Sequence, residues 1–297
     1  MVDASYYFSY TPMNIAPEAS AAIFIGFAVT LALQTVKSRG PRWLLILSVT
    51  AFCEAVGYAF RTVCIYWTTL GTFTAMSLFL LLPPNALALT NYKTLGEVVR
   101  SAHKKGPRHH HGFNSSSSVV AEAPRSIFLR PRFITWFFFT SDVFSFLLQG
   151  AGVGISTQED KRTLAKQTIL TGLAVQLVFF AAFLCIATYV FFDRRFTVAR
   201  GPKDVDSRGA KRRLFRVIIS TTLLLYLRSM YRVAEFVGGY GSKVYGTEWL
   251  FYLFDTVMVM VSFVLYMQSF IGHHFQTHDG SDPKDDDAHV PMNRLVL

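Results

Sequence analysis

Glu54 and Arg61 stand seven residues apart in LSVTAFCEAVGYAFRTVCIY, a run that holds no other charge. The same interval separates Glu248 from Asp255, while Arg228, Arg232 and Glu235 follow one another at four and three. Asp142, Ser145 and Gln149 repeat the three-and-four rhythm, and Gln176 falls one turn after Gly172. On an α-helix these intervals put each set on one face. Faces of carboxylate, guanidinium and amide inside apolar helices can hold helices in register, bind a charged headgroup or ion, or relay protons. Left in hydrocarbon, each charge would cost about 2.5–3.5 kcal/mol on insertion scales. The charges are therefore expected to turn inward and pair. The spacing allows Arg232 with Asp142 or Asp255, and Arg61 with Glu54 or Glu235. Arg228 and Glu248, near the ends of their runs, are expected to snorkel toward the interface.

The elements that carry these residues are seven apolar runs, at 17–36, 43–66, 70–92, 133–155, 168–192, 215–238 and 249–272. Each approaches the 17–25 residues needed to cross about 30 Å of hydrocarbon. Unbroken runs without strict alternation predict helices rather than a barrel. Composition agrees: the 297-residue chain is 52% hydrophobic and only 16% charged, against about 25% charged in soluble domains. The expected fold is an all-α polytopic membrane protein, a bundle of seven transmembrane helices. Pro83-Pro84-Asn85 predicts a kink with freed carbonyls in the third. Residues 1–16, with Asp3 and no basic residue, do not read as a cleavable signal.

The basic residues choose an orientation. With the N-terminus outside, twenty-one Lys and Arg lie on the inner side and four on the outer; the other four are arginines within helices. This is a strong positive-inside pattern, with the C-terminus cytoplasmic. It also accounts for the net charge of +10, through orientation and attraction of the basic loops to anionic inner-leaflet lipid. Nothing is left to support nucleic-acid binding. The expected organisation is an extracellular tail (1–16), a membrane domain (17–272) and a disordered cytoplasmic tail (273–297). A low-complexity loop at about 100–126, RSAHKKGPRHHHGFNSSSS and beyond, is also expected to be disordered.

Catalytic readings fare poorly. All eight histidines fall in loop 93–132 or beyond residue 272, so no intramembrane zinc site is expected. No lysine lies within a predicted span to form a Schiff base. Neither a phosphate-binding glycine loop nor GxSxG is present. Cys53, Cys64 and Cys185, scattered through apolar runs, read as buried hydrophobes. No enzyme activity, cofactor or metal is expected.

Taken in order, the polar motifs resemble the fungal RTA-like family, lipid-translocating exporters named for resistance to aminocholesterol. Glu54-Ala55-Val56-Gly57-Tyr58-Ala59-Phe60-Arg61 is similar to E-x-x-G-Y-x-x-R. Leu82-Pro83-Pro84, Tyr92 and Leu95-Gly96 follow, then Asp142-Val143-Phe144-Ser145 with Gln149 and Gly152, then Gly172 with Gln176. The longest match is Arg228-Ser229, Tyr231-Arg232, Glu235, Gly238, Gly241, Glu248-Trp249, Tyr252 and Phe254-Asp255. The likeness covers about residues 50–260. It departs at Glu97, where the family carries Arg, at Met258-Val259, where it carries Pro-Met, and at Gly272-His273-His274-Phe275, where it ends in His-Pro-Gly. The resemblance implies a seven-helix protein that moves amphiphilic, sphingoid-base-like lipids or toxic amphiphiles and contributes to resistance. The plasma membrane is its expected place, with endoplasmic reticulum or vacuole as alternatives. Its partners would be membrane lipids or amphiphilic small molecules. The implied polar core is Glu54, Arg61, Asp142, Gln149, Gln176, Arg232, Glu235, Glu248 and Asp255. A lipid sensor or receptor without net transport is the alternative.

Overall fold

A computed structural model describes residues 15–38, 42–67, 69–104, 131–156, 161–193, 207–238 and 248–269. Among the described residues there are seven helices, each long and apolar enough to cross a membrane. They are α1 (Ile15–Lys37), α2 (Leu45–Tyr66, entered by a 3₁₀ turn at Arg42–Leu44), α3 (Leu70–Lys104) and α4 (Pro131–Ile155). The remaining three are α5 (Arg162–Phe192), α6 (Ser207–Gly238) and α7 (Glu248–Gln268). No strand occurs among the described residues. The all-α seven-helix bundle expected from the apolar runs is what forms, and the chain is an integral membrane protein.

Helices adjacent in sequence pack side by side. α1 meets α7, where Phe24 and Phe27 stack around Phe263. α3 also touches α6, so it bridges the bundle's interior. The distribution of side chains is inverted relative to a water-soluble protein. Val29, Val49, Phe52, Phe144, Leu147 and Val178 face outward, whereas Glu54, Arg61, Asn91, Asp142, Gln149 and Asp255 are buried. That inversion is what hydrocarbon solvent demands.

The helix bounds depart most from the apolar runs at two places, and α5 also begins earlier, at Arg162 rather than 168. α3 continues to Lys104 and α6 begins at Ser207. Both extensions are amphipathic rather than apolar. Leu95, Val98 and Val99 on α3, and Leu214, Phe215 and Ile218 on α6, join the core, while the charged residues occupy the other face. A hydropathy window ends where the polar face begins, although the helix does not. The early part of the loop expected at 100–126 is therefore helical to Lys104. The rest of it, the 1–14 tail and the 273–297 tail lie outside the described residues.

Small residues set the α4–α5 contact. A methyl group at position 172 would stand 2.9 Å from Gln149 Cγ and 2.9 Å from the Ser145 carbonyl oxygen; at 152 it would stand 2.4 Å from Ile169 Cγ1. Close backbone approach of this kind is how helices associate where no hydrophobic force separates them from lipid. Gly172→Ala is expected to destabilise the folded protein by about 1–3 kcal/mol, read from unfolding in detergent micelles. Gly154→Ala, where nothing lies within 4 Å, should leave the unfolding midpoint unchanged.

Candidate functional site

The polar residues fall into two groups. The first joins α2, α6 and α7. Asp255 is its centre: Arg232 donates to it through Nε at 3.1 Å and Nη2 at 2.8 Å, a bidentate fork. Arg228 Nη2 lies 2.8 Å from its other face at Oδ1. Arg232 also donates through Nη1 to Glu235 Oε2 at 3.2 Å. Arg61 Nη2 pairs with Glu248 Oε1 at 3.4 Å, and its guanidinium lies 4.4 Å from the Phe251 ring centroid. Phe251 receives Arg232 as well, at 5.4 Å. The ring thus attracts two guanidiniums. Glu54 is buried within the electrostatic reach of Arg228, Arg232 and Asp255. Its Oε2 accepts no hydrogen bond.

Local structure explains how Asp255 reaches two arginines. Tyr252–Val257 forms a single π-helical turn within α7. The extra residue widens the helix there, and π-turns concentrate at functional sites. Asp255 and its neighbour Thr256 are both buried, and Thr256 meets the Tyr58 hydroxyl of α2. α3 contributes a backbone group. Pro84 has no N–H to give to the Leu80 carbonyl one turn earlier. Arg228 Nη2 takes that carbonyl at 3.0 Å. The freed carbonyl expected from Pro83-Pro84 exists, and an arginine of α6 satisfies it, while α3 runs on as one helix.

The second group joins α3, α4 and α5. Gln149 Nε2 donates to Gln176 Oε1 at 2.9 Å, and Gln176 Nε2 donates to Asn85 Oδ1 at 2.8 Å. Asp142 Oδ2 accepts from the Tyr92 hydroxyl at 2.8 Å; the Tyr92 ring is held between Phe138 and Phe183. Asp142 Oδ1 and Ser145 Oγ are buried without partners. Beside this group, Asn91 bonds Thr221 and Thr222 of α6 and accepts from the Tyr266 hydroxyl of α7 at 2.7 Å.

Every residue expected in the polar core is buried or nearly so, but several partners differ. Arg232 pairs with Asp255, one of two options, and not with Asp142. Arg61 pairs with Glu248 rather than Glu54 or Glu235. Arg228 does not snorkel: it is 3% exposed, between Asp255 and Leu80. Glu248 likewise turns inward to Arg61. Spacing fixes the face of a helix, but which faces meet depends on helix order and rotation. Asn85, Asn91, Tyr58, Tyr92, Thr221, Thr222 and Tyr266 were not expected as core members. Asn85 and Asn91 were legible as amides within an apolar run. The hydroxyls carry no such signal, because Thr and Tyr are common in spans.

The family model for "RTA1 like protein" matches residues 47–110 and 113–278. The chain belongs to the RTA1-like family. Among its relatives in Saccharomyces cerevisiae, Protoporphyrin uptake protein 1 is 29% identical over 75% of this chain and 67% of its own. Protein RTM1 is 30% identical over 75% of this chain and 66% of its own. Protein RTA1 is 26% identical over 77% and 66%. The chain thus spans about two thirds of the length of these relatives. No solved structure matches it. In this RTA1-like bundle, the matched region contains all the buried pairs above.

Asp255 is the carboxylate that Arg228 and Arg232 share, so its removal leaves Arg232 with Glu235 alone and Arg228 with the Leu80 carbonyl. Asp255→Ala is expected to destabilise the protein by about 3–5 kcal/mol, measured by unfolding in detergent. Adding Arg228→Met should recover part of that loss, because it removes one orphaned charge along with its desolvation.

Proposed function

We propose that this RTA1-like protein carries amphiphilic molecules, sphingoid-base-like lipids or toxic amphiphiles, across the membrane, and so contributes to resistance. The observation that carries the reading is Glu54. Around it stand Arg228, Arg232 and Asp255. Asp255, Glu235 and Glu248 each have an arginine, whereas Glu54 Oε2 is buried with no partner. A buried carboxylate oxygen left unpaired is costly, and a cationic headgroup supplies what it lacks. Ionisable groups within spans commonly mark substrate or proton paths. Asp142, with Oδ1 unpartnered on α4, offers a second acidic position, one that a proton or an amine would satisfy. The name Protoporphyrin uptake protein 1 is consistent with movement of a substrate by a relative. On this reading the protein is a carrier and no enzyme. It sits in the plasma membrane with its N-terminus outside, which places the charged group toward the outer leaflet and the basic loops on anionic lipid inside.

A second reading, a lipid sensor without net transport, draws on the nearly complete internal pairing of the charges. Such a cluster can hold one helix register and release another.

The test is flux of a fluorescent sphingoid base in vesicles reconstituted with purified protein. Wild type should exceed protein-free vesicles. Glu54→Gln should keep its unfolding midpoint yet lose at least about tenfold in flux, equivalent to about 1.4 kcal/mol of lost interaction. Normal flux through Glu54→Gln would remove Glu54 from the path. Wild-type protein that binds the base without moving it would favour the sensor.

A further inference from the structure

The charged group occupies one end of the bundle, and a separate cavity opens near the other. It holds about 540 Å³ between the start of α2, the second half of α3 and the first half of α4. That volume lies within the roughly 300–1,000 Å³ of small-molecule sites. Arg42 and Arg61 mark opposite ends of α2, about 30 Å apart at 1.5 Å per residue. The cavity therefore lies on the opposite side of the membrane from Arg61 whichever way the chain is inserted. It is on the side where α1 ends and α2 begins, and where α3 ends and α4 begins.

Its lining has two chemistries. Arg42 and Lys93 contribute two cations, and Lys93 Nζ sits 4.8 Å from the Trp43 ring centroid. Among the described residues no carboxylate closes a salt bridge to either. Glu97, one turn beyond Lys93, lies within its electrostatic reach and pairs with Arg100 at 3.3 Å. Trp43 and Trp136 bracket the cavity, as aromatic residues do at headgroup depth, and Trp136 is 67% exposed. The hydroxyls of Thr90 and Thr135 donate to the Ala86 and Tyr92 carbonyls. Ile46 and Phe139 complete an apolar wall. The beginning of α2 adds the positive end of a helix dipole.

We propose that this cavity seats an anionic phospholipid. Its phosphate lies between Arg42 and Lys93, its headgroup lies beside Trp43 and Trp136, and its acyl chains run along Ile46 and Phe139 into the bilayer. Basic pockets between helices on the positively charged side are suited to this class of lipid. The site is separate from the carrier path, because none of Glu54, Arg61, Arg228, Arg232 or Asp255 lines it.

The four tryptophans provide the readout. In the full chain carrying Trp67→Phe and Trp249→Phe, only Trp43 and Trp136 report. The protein is reconstituted into vesicles containing acyl-brominated phosphatidylserine or acyl-brominated phosphatidylcholine. Half-maximal quenching is expected at a several-fold lower mole fraction of the anionic lipid. Arg42→Gln with Lys93→Gln should bring the two lipids together, while Lys93→Arg, which keeps the charge and serves if the double variant does not assemble, should retain the preference. Equal quenching by both lipids in the unsubstituted cavity would overturn the site. A preference that survives the double substitution would assign the attraction to the loops and overturn it too. Displacement of the brominated lipid by inorganic phosphate would mean the cavity takes a free anion, which contradicts a lipid occupant.

Discussion

A charge removed from water must find an opposite charge or a dipole within reach. Asp255 is where this bundle meets that requirement. Arg228 and Arg232, one turn apart on α6, converge on a single carboxylate of α7. Arg228 then reaches across to a carbonyl of α3 that a proline has released. One carboxylate therefore fixes α6 against α7, and one arginine extends the connection to α3. The neighbouring Arg61–Glu248 pair and the Phe251 ring bring in α2. Four helices are tied at one level of the bundle by groups that hydrocarbon cannot solvate. Such a network contributes more to choosing one arrangement than to net stability.

Elsewhere in the bundle neutral groups serve the same purpose. The Gln149–Gln176–Asn85 chain joins α4, α5 and α3 with amides, made possible because Gly172 lets α5 lie against the Gln149 side chain. Amides satisfy one another without net charge, so this group needs no arginine. The division leaves Glu54 and Asp142, among the described residues, as the acidic groups with a buried oxygen that accepts no hydrogen bond, one beside each network. That arrangement resembles a framework with two open positions more than a uniformly closed core.

Much of this was legible in the residues. Seven apolar runs predicted seven helices, and the three-and-four intervals predicted which polar residues would turn inward together. What remained hidden has definite causes. Pairing between helices depends on their rotation, which intervals along one helix do not encode; hence Arg61 found Glu248 rather than Glu54. The π-turn at Tyr252–Val257 contains neither Pro nor Gly, and it coincides with two adjacent buried polar residues, Asp255 and Thr256. The ends of α3 and α6 escaped a hydropathy criterion because their surfaces are half polar. Arg228 looked interfacial by its position in the run, yet the carbonyl freed by Pro84 gave it a buried partner that only the folded bundle supplies.

The central claim is that the Arg232–Asp255 contact is a true buried pair on which the α6–α7 register depends. A double-mutant cycle on Arg232→Met and Asp255→Ala, followed by unfolding of the purified protein in bicelles, tests it most directly. The account predicts a coupling energy of at least about 1.5 kcal/mol, in the range measured for close charge pairs. Effects that add within about 0.5 kcal/mol would mean the two residues act independently and would contradict it.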